Sequence, residues 1–459
     1  MNWCRGAALR SVRKTSSRSV MPITRHAALL VAGTCLGWGG LPASLTASQA
    51  SGGPETSPPA EAPATAEARA LFEESNALWT RPGRTEAEAE RAADLMHEVT
   101  VLEPEFVLGH IYLAQEDAYI HQTWDRSSVR ARRARAAATT AVELAPRRAD
   151  AQGAYGTYLY RVEKDYEGSL EYYRRAMELD PDDVVPTRMS GYVARRAGRW
   201  DEAVELLEAA REMEPTRSAE AELGNTYVWL GEYDQARKAF ERGRALAPEH
   251  RQPRSALAWL DVHERGDRTA LREFLDEFDS GYEEFRWWLA MTDEDWDGAI
   301  AAMEMGEEDP LNSQYSVLPR AMARGLALRR RGDEADAMAA FGEALAMLEP
   351  MLEAEPGDPR LHLATGTALA LLGRGDEALE HGQRGMALMP RERDAMASAD
   401  FQVQMTEILA LSGRIDEALD SLEEQFSRPF PWGKATLSMG PWLYPLADHP
   451  RFATILGTS

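Results

Sequence analysis

Gly191, Gly198 and Ala203 recur as Gly224, Gly231 and Ala236, then as Gly325, Gly332 and Ala337, and again as Gly366, Gly373 and Ala378. The spacing Gly-x6-Gly-x4-Ala is kept each time, and Gly413 with Ala418 supplies a fifth, partial copy. Self-similarity at a fixed period confines a chain to repeat architectures. Prolines mark the same period: Pro146, Pro181, Pro215 and Pro248 lie 35, 34 and 33 residues apart, and Pro356 and Pro390 lie 34 apart. From about Thr65 onward, apolar residues recur at three- and four-residue spacing in a background of Ala, Leu, Glu and Arg, which predicts helices.

Each marker has a physical task. A mid-helix glycine costs about 1 kcal/mol relative to alanine, which is tolerated where a side chain would block a neighbouring helix. The second glycine ends the first helix in a left-handed conformation. The alanine packs where only a methyl fits, and the proline ends the second helix. Trp200, Tyr233, Phe240 and Phe341 fill the remaining gaps. Such a helix pair cannot bury its apolar face alone, so pairs must stack.

The segments Met189–Ala203 and Leu223–Ala236 closely resemble the tetratricopeptide repeat, a 34-residue helix pair. The resemblance runs over residues 65–427, strongly at 148–248 and 314–427, and counts about ten pairs. It implies an all-α, right-handed superhelical solenoid of antiparallel helix pairs. The expected organisation is an export signal or anchor at 1–50, a linker at 51–64, an array at 65–249, shortened repeats at 250–312, a second array at 313–427 and a capping segment at 428–459. Within that segment, Pro441–Phe452 is similar to the ends of repeat regions in bacterial signalling proteins, and it also suits a cap over the last open apolar face.

Composition excludes several functions. The 459 residues are 44% hydrophobic, enough for a core, and carry a net charge of −24, which argues against nucleic-acid binding. Cys4 and Cys35 are the only cysteines, so a disulfide scaffold is excluded. Residues 1–50 hold six basic and no acidic residues. Their apolar run at 27–38 and the small residues Ser48-Gln49-Ala50 read as an export signal, with Met21 as an alternative start. The expected location is therefore exported and periplasmic. The alternatives are anchoring by residues 27–47 or lipidation at Cys35, and membrane contact is expected only through this segment.

Asp293, Asp295, Asp297, Gly298 and Glu304 match an EF-hand loop, with Ile300 at its aliphatic position. This makes Ca(II) the one metal to weigh, in a calcium-responsive binding protein. The same letters align with the repeat, because Trp296-Asp297-Gly298-Ala299 falls on Trp200-Asp201-Glu202-Ala203, and the repeat is the preferred reading. No catalytic residues and no other cofactor are expected: the nine histidines are scattered and no nucleophile elbow or phosphate loop occurs.

In proteins of this resemblance the first helices line a concave groove that holds a peptide or helix. The register then places Tyr158, Arg161, Arg188, Tyr192, Arg195 and Asn225 on one wall. Arginine and aromatic side chains are common interface anchors, so an acidic segment or a C-terminal carboxylate is the expected partner. The competing reading pairs these arginines with glutamates inside the array. The leading expectation is a non-enzymatic interaction scaffold of the bacterial cell envelope, and the alternative to the calcium protein is a non-catalytic subunit of an envelope enzyme complex.

Overall fold

The computed structural model describes residues 62–457 except 82, 279, 280, 307 and 308. The leader, the candidate cleavage site and Cys35 lie outside the described residues. Ten helix pairs follow one another: α1 (Ala66–Trp79) with α2 (Glu86–Leu102), α3 (Val107–Thr123) with α4 (Ser128–Leu144), α5 (Ala149–Tyr158) with α6 (Tyr166–Leu179), α7 (Val184–Arg196) with α8 (Trp200–Met213) and α9 (Arg217–Trp229) with α10 (Tyr233–Leu246). Two shorter pairs come next, α11 (Arg251–Arg265) with α12 (Thr269–Asp276) and α13 (Glu283–Thr292) with α14 (Trp296–Glu304). A small antiparallel hairpin, β1 (Leu311–Asn312) and β2 (Val317–Leu318), separates them from α15 (Arg320–Arg331) with α16 (Glu334–Ala354), α17 (Pro359–Leu371) with α18 (Gly375–Leu388) and α19 (Ala395–Leu411) with α20 (Ile415–Phe426). The chain ends in α21 (Lys434–Ser438), a 3-10 turn (Pro441–Leu446) and α22 (Pro450–Leu456). No described helix is long and apolar enough to cross a membrane.

The repeat markers do what their chemistry requires. A Cβ on Gly224 would lie 2.3 Å from the Phe240 ring, and one on Gly325 would lie 2.6 Å from Phe341. Only glycine lets each helix pair close. Gly198, Gly231, Gly332, Gly373 and Gly413 all have positive φ and end their helices in the left-handed region. Ala203, Ala236, Ala337 and Ala378 are completely buried. Helix starts are capped by side chains, as at Thr85, whose capping box with Glu88 satisfies two backbone amides.

The solenoid closes back on itself. Arg126, between α3 and α4, reaches Asp358 at the start of α17 at 3.2 Å. Arg196 at the end of α7 reaches Asp394 at the start of α19 at 2.8 Å. Met396 and Ala399 of α19 pack with Trp200 and Trp229. The C-terminal segment covers α20, where Phe430, Trp432, Leu443 and Phe452 join Leu419 and Leu422 in one core. It also reaches back: the Phe430 amide donates to the Trp229 carbonyl at 2.8 Å, and Thr436 Oγ1 sits 2.9 Å from His263 Nδ1 of α11.

Candidate interaction surface

The six residues expected on the inner wall lie on the first helices of their pairs or, for Arg161, in the turn after α5, and they are engaged with the protein itself. On α7, Arg188, Tyr192 and Arg195 follow one another at helical spacing. Arg195 is buried; it donates to Glu222 Oε2 at 2.6 Å and Thr226 Oγ1 at 3.2 Å on α9, and stacks over the Tyr192 ring at 5.2 Å. Burial raises the Tyr192 hydroxyl above its ordinary pKa, and the neighbouring Glu222 adds to the shift. Arg188 faces Glu214, just past the end of α8, at 3.8 Å. Tyr158 is buried and its hydroxyl donates to Glu163. Arg161 donates to Gln122, and Asn225 is buried. The wall is therefore not a row of open side chains, because its arginines are largely satisfied inside the array.

The EF-hand match falls on a helix start. Asp295 is the N-cap of α14 and accepts from the Gly298 amide at 3.0 Å. Asp297 to Glu304 is helical, so the four carboxylates cannot wrap an ion. Asp293 pairs with Arg272 and Arg268, and Asp297 with Arg331. Among the described residues no group of three or more His, Cys, Asp or Glu side chains could hold a metal.

Two features escape sequence reasoning. One is the closure around Asp394. Its Oδ1 accepts from the amides of Met396 and Ala397, and its Oδ2 from Arg196 at 2.8 Å and the Tyr166 hydroxyl at 2.6 Å. Burial opposes the charge on Arg196, but Asp394 outweighs it and holds the guanidinium well above its ordinary pKa. The other is a series of exposed apolar residues at repeat-equivalent positions. Leu102, Leu144, Leu179, Met213 and Leu246 end α2, α4, α6, α8 and α10, each two residues before the repeat proline. They are 44%, 42%, 39%, 42% and 51% exposed. Its signal in the sequence is the repeated Leu/Met-x-Pro triplet, which by itself marks only a helix end.

Tetratricopeptide-repeat models match residues 129–184, 194–260 and 322–387. The chain carries tetratricopeptide repeats, stacked as a solenoid. Among solved structures it is similar to a thermophilic TPR protein of Thermus thermophilus, TTC0263, at 16% identity over 42% of this chain and 99% of that one, with a TM-score of 0.37. It is also similar to the PilF protein of Pseudomonas aeruginosa, at 17% identity over 49% and 97% and a TM-score of 0.37. A third is PilW, a type IV pilus biogenesis factor, at 16% over 47% and 93% and a TM-score of 0.38. No curated protein matches the chain.

Proposed function

We propose that the chain is a non-catalytic scaffold that holds a protein partner along the ridge formed by the ends of α2, α4, α6, α8 and α10. The observation that carries this reading is the exposure of Leu102, Leu144, Leu179, Met213 and Leu246 at repeat-equivalent positions. Single exposed apolar residues need no explanation, but a series in register with the solenoid offers one partner several equal contacts. A partner peptide with an acidic segment or C-terminal carboxylate entering the inner wall would have to replace the bonds of Arg195 to Glu222 and Thr226, so the outer ridge is favoured over the groove. A cell-envelope location is part of the proposal and rests on the basic leader and apolar run of residues 1–50.

The test is cross-linking capture from native envelope extract with three proteins. They are the wild type, a ridge variant (Leu144→Asp, Leu179→Asp, Leu246→Asp) and a wall variant (Arg188→Ala, Tyr192→Ala, Arg195→Ala). The ridge variant is expected to lose the captured partners while retaining its helical circular dichroism. Loss with the wall variant and retention with the ridge variant would return the groove as the working surface.

A further inference from the structure

Helices α17 and α18 carry a pair of histidines that the repeat does not require. His362 stands four residues before the mid-helix Gly366, and His381 stands three residues after Ala378. The equivalent pairs are Thr187 with Leu206, Glu220 with Ala239 and Ala321 with Ala340. Both positions of one pair are therefore histidine, and none of the other three has one at either. The fold brings the two rings together between the helices. Their Nδ1 atoms lie 3.3 Å apart, their ring centroids lie 5.4 Å apart, and both residues are half-buried.

The hydrogen bonds fix the role of each nitrogen. His362 Nε2 lies 3.2 Å from the Pro356 carbonyl oxygen. A carbonyl only accepts, so Nε2 carries the His362 proton and Nδ1 bears the lone pair. That lone pair accepts from the His381 Nδ1–H. A metal-bound imidazole usually donates its far N–H to a carbonyl or carboxylate, which sets its tautomer and aims its lone pair. Pro356 already supplies this partner to His362. The surroundings suit a cation. Glu377 lies one turn before His381 on α18 and is exposed, as is its neighbour Glu380. Arg374 pairs with Glu377, whereas Glu380 makes no ion pair among the described residues.

The spacing selects the ion. Zinc binds imidazole nitrogen at about 2.0–2.1 Å with tetrahedral geometry, which sets neighbouring nitrogens about 3.3–3.4 Å apart. A square-planar site with bonds of that length, the geometry of Cu(II), would draw them to about 2.9 Å. The 3.3 Å between His362 and His381 is the tetrahedral spacing, so the nitrogens need hardly move.

We propose that His362 and His381 bind one Zn(II) ion through their Nδ1 atoms, with water in the remaining positions. On binding, the proton of His381 Nδ1 passes to Nε2, and the zinc takes its place between the rings. The ion then links α17 to α18. Two protein ligands leave the site open, unlike the closed four-ligand site of a structural zinc. The site is independent of the partner surface proposed above.

Thermal unfolding of the full chain in increasing zinc chloride, followed by helical circular dichroism, tests the site. At a zinc concentration about ten times the dissociation constant, the ratio of unfolded to folded protein should fall roughly tenfold. Magnesium chloride should leave the melt unchanged, because that ion takes oxygen ligands. Two variants locate the effect. His381→Asn keeps a side-chain N–H for the His362 lone pair and removes one imidazole, and His362→Asn removes the other. Each should fold without zinc and lose the zinc-dependent gain. His97→Gln, at an exposed position on α2, should keep it. Equilibrium dialysis below the melting transition should find one more zinc per chain on the wild type than on either variant. The proposal is overturned if the wild type binds no more zinc than the variants, or if either variant keeps the full gain in melting temperature.

Discussion

Arg196 and Asp394 lie 198 positions apart in the chain, yet their side chains meet at 2.8 Å and both are buried. This contact ties the end of α7 to the start of α19 and turns an open superhelix into a closed one. Removing one partner of a buried pair leaves an uncompensated charge, which costs about 3–5 kcal/mol. Asp394→Asn keeps a good N-cap for α19, so its loss reports the charge pair. We expect destabilisation of about 3 kcal/mol in urea unfolding, with part of it recovered when Arg196→Met is added. A change below about 0.5 kcal/mol, the size of an ordinary surface substitution, would mean that the closure contributes little.

Glycine substitutions should move in opposite directions within one fold. A Cβ at Gly224 meets the Phe240 ring at 2.3 Å, whereas Gly153 in α5 has nothing within 4 Å. Gly224→Ala is expected to cost about 1–3 kcal/mol by overpacking. Gly153→Ala should gain roughly 0.5–1 kcal/mol from helix propensity and reduced freedom of the unfolded chain. Thermal melts of the two variants side by side check this, and a stabilising Gly224→Ala would refute the close-approach account of the repeat.

What is legible in the sequence is local and periodic. Gly224 against Phe240 and the left-handed Gly231 follow from one repeat and its neighbour, and both stand as expected. The inner wall follows from the repeat register, but register does not say what faces a side chain. Arg195 is bonded to Glu222, one repeat away. The Arg196–Asp394 contact is not legible at all, because no period links residues on opposite sides of the superhelix. His362 and His381 read as two of nine scattered histidines, and only the folded helix pair brings their rings together.

The segment around Asp295 should behave as a helix start and not as a calcium loop. Asp295→Ala removes the side chain that accepts from the Gly298 amide, and the loss should be about 1 kcal/mol, as for other N-caps. Millimolar calcium should leave the melting temperature of the wild type unchanged. A calcium-dependent rise that Asp295→Ala abolishes would restore the metal reading.

Glu407 predicts how stability depends on pH. The side chain is buried on α19 and borders a small cavity with Trp288, Trp432 and Trp442. Burial pushes its carboxyl up to about 8, from an ordinary value near 4.5. Between these values the folded protein keeps a proton that the unfolded chain releases. Stability from this group is therefore complete below about 4.5, falls as pH rises and levels off above about 8. Glu407→Gln mimics the neutral form at every pH. It should match the wild type near pH 4.5 and be more stable at pH 8.5, by roughly 3 kcal/mol once the full linkage figure is discounted for relaxation around a buried group. Urea unfolding of both proteins across this range isolates Glu407, because every other titrating group is common to the two. Parallel stability curves would show that the carboxyl titrates alike in the folded and unfolded states.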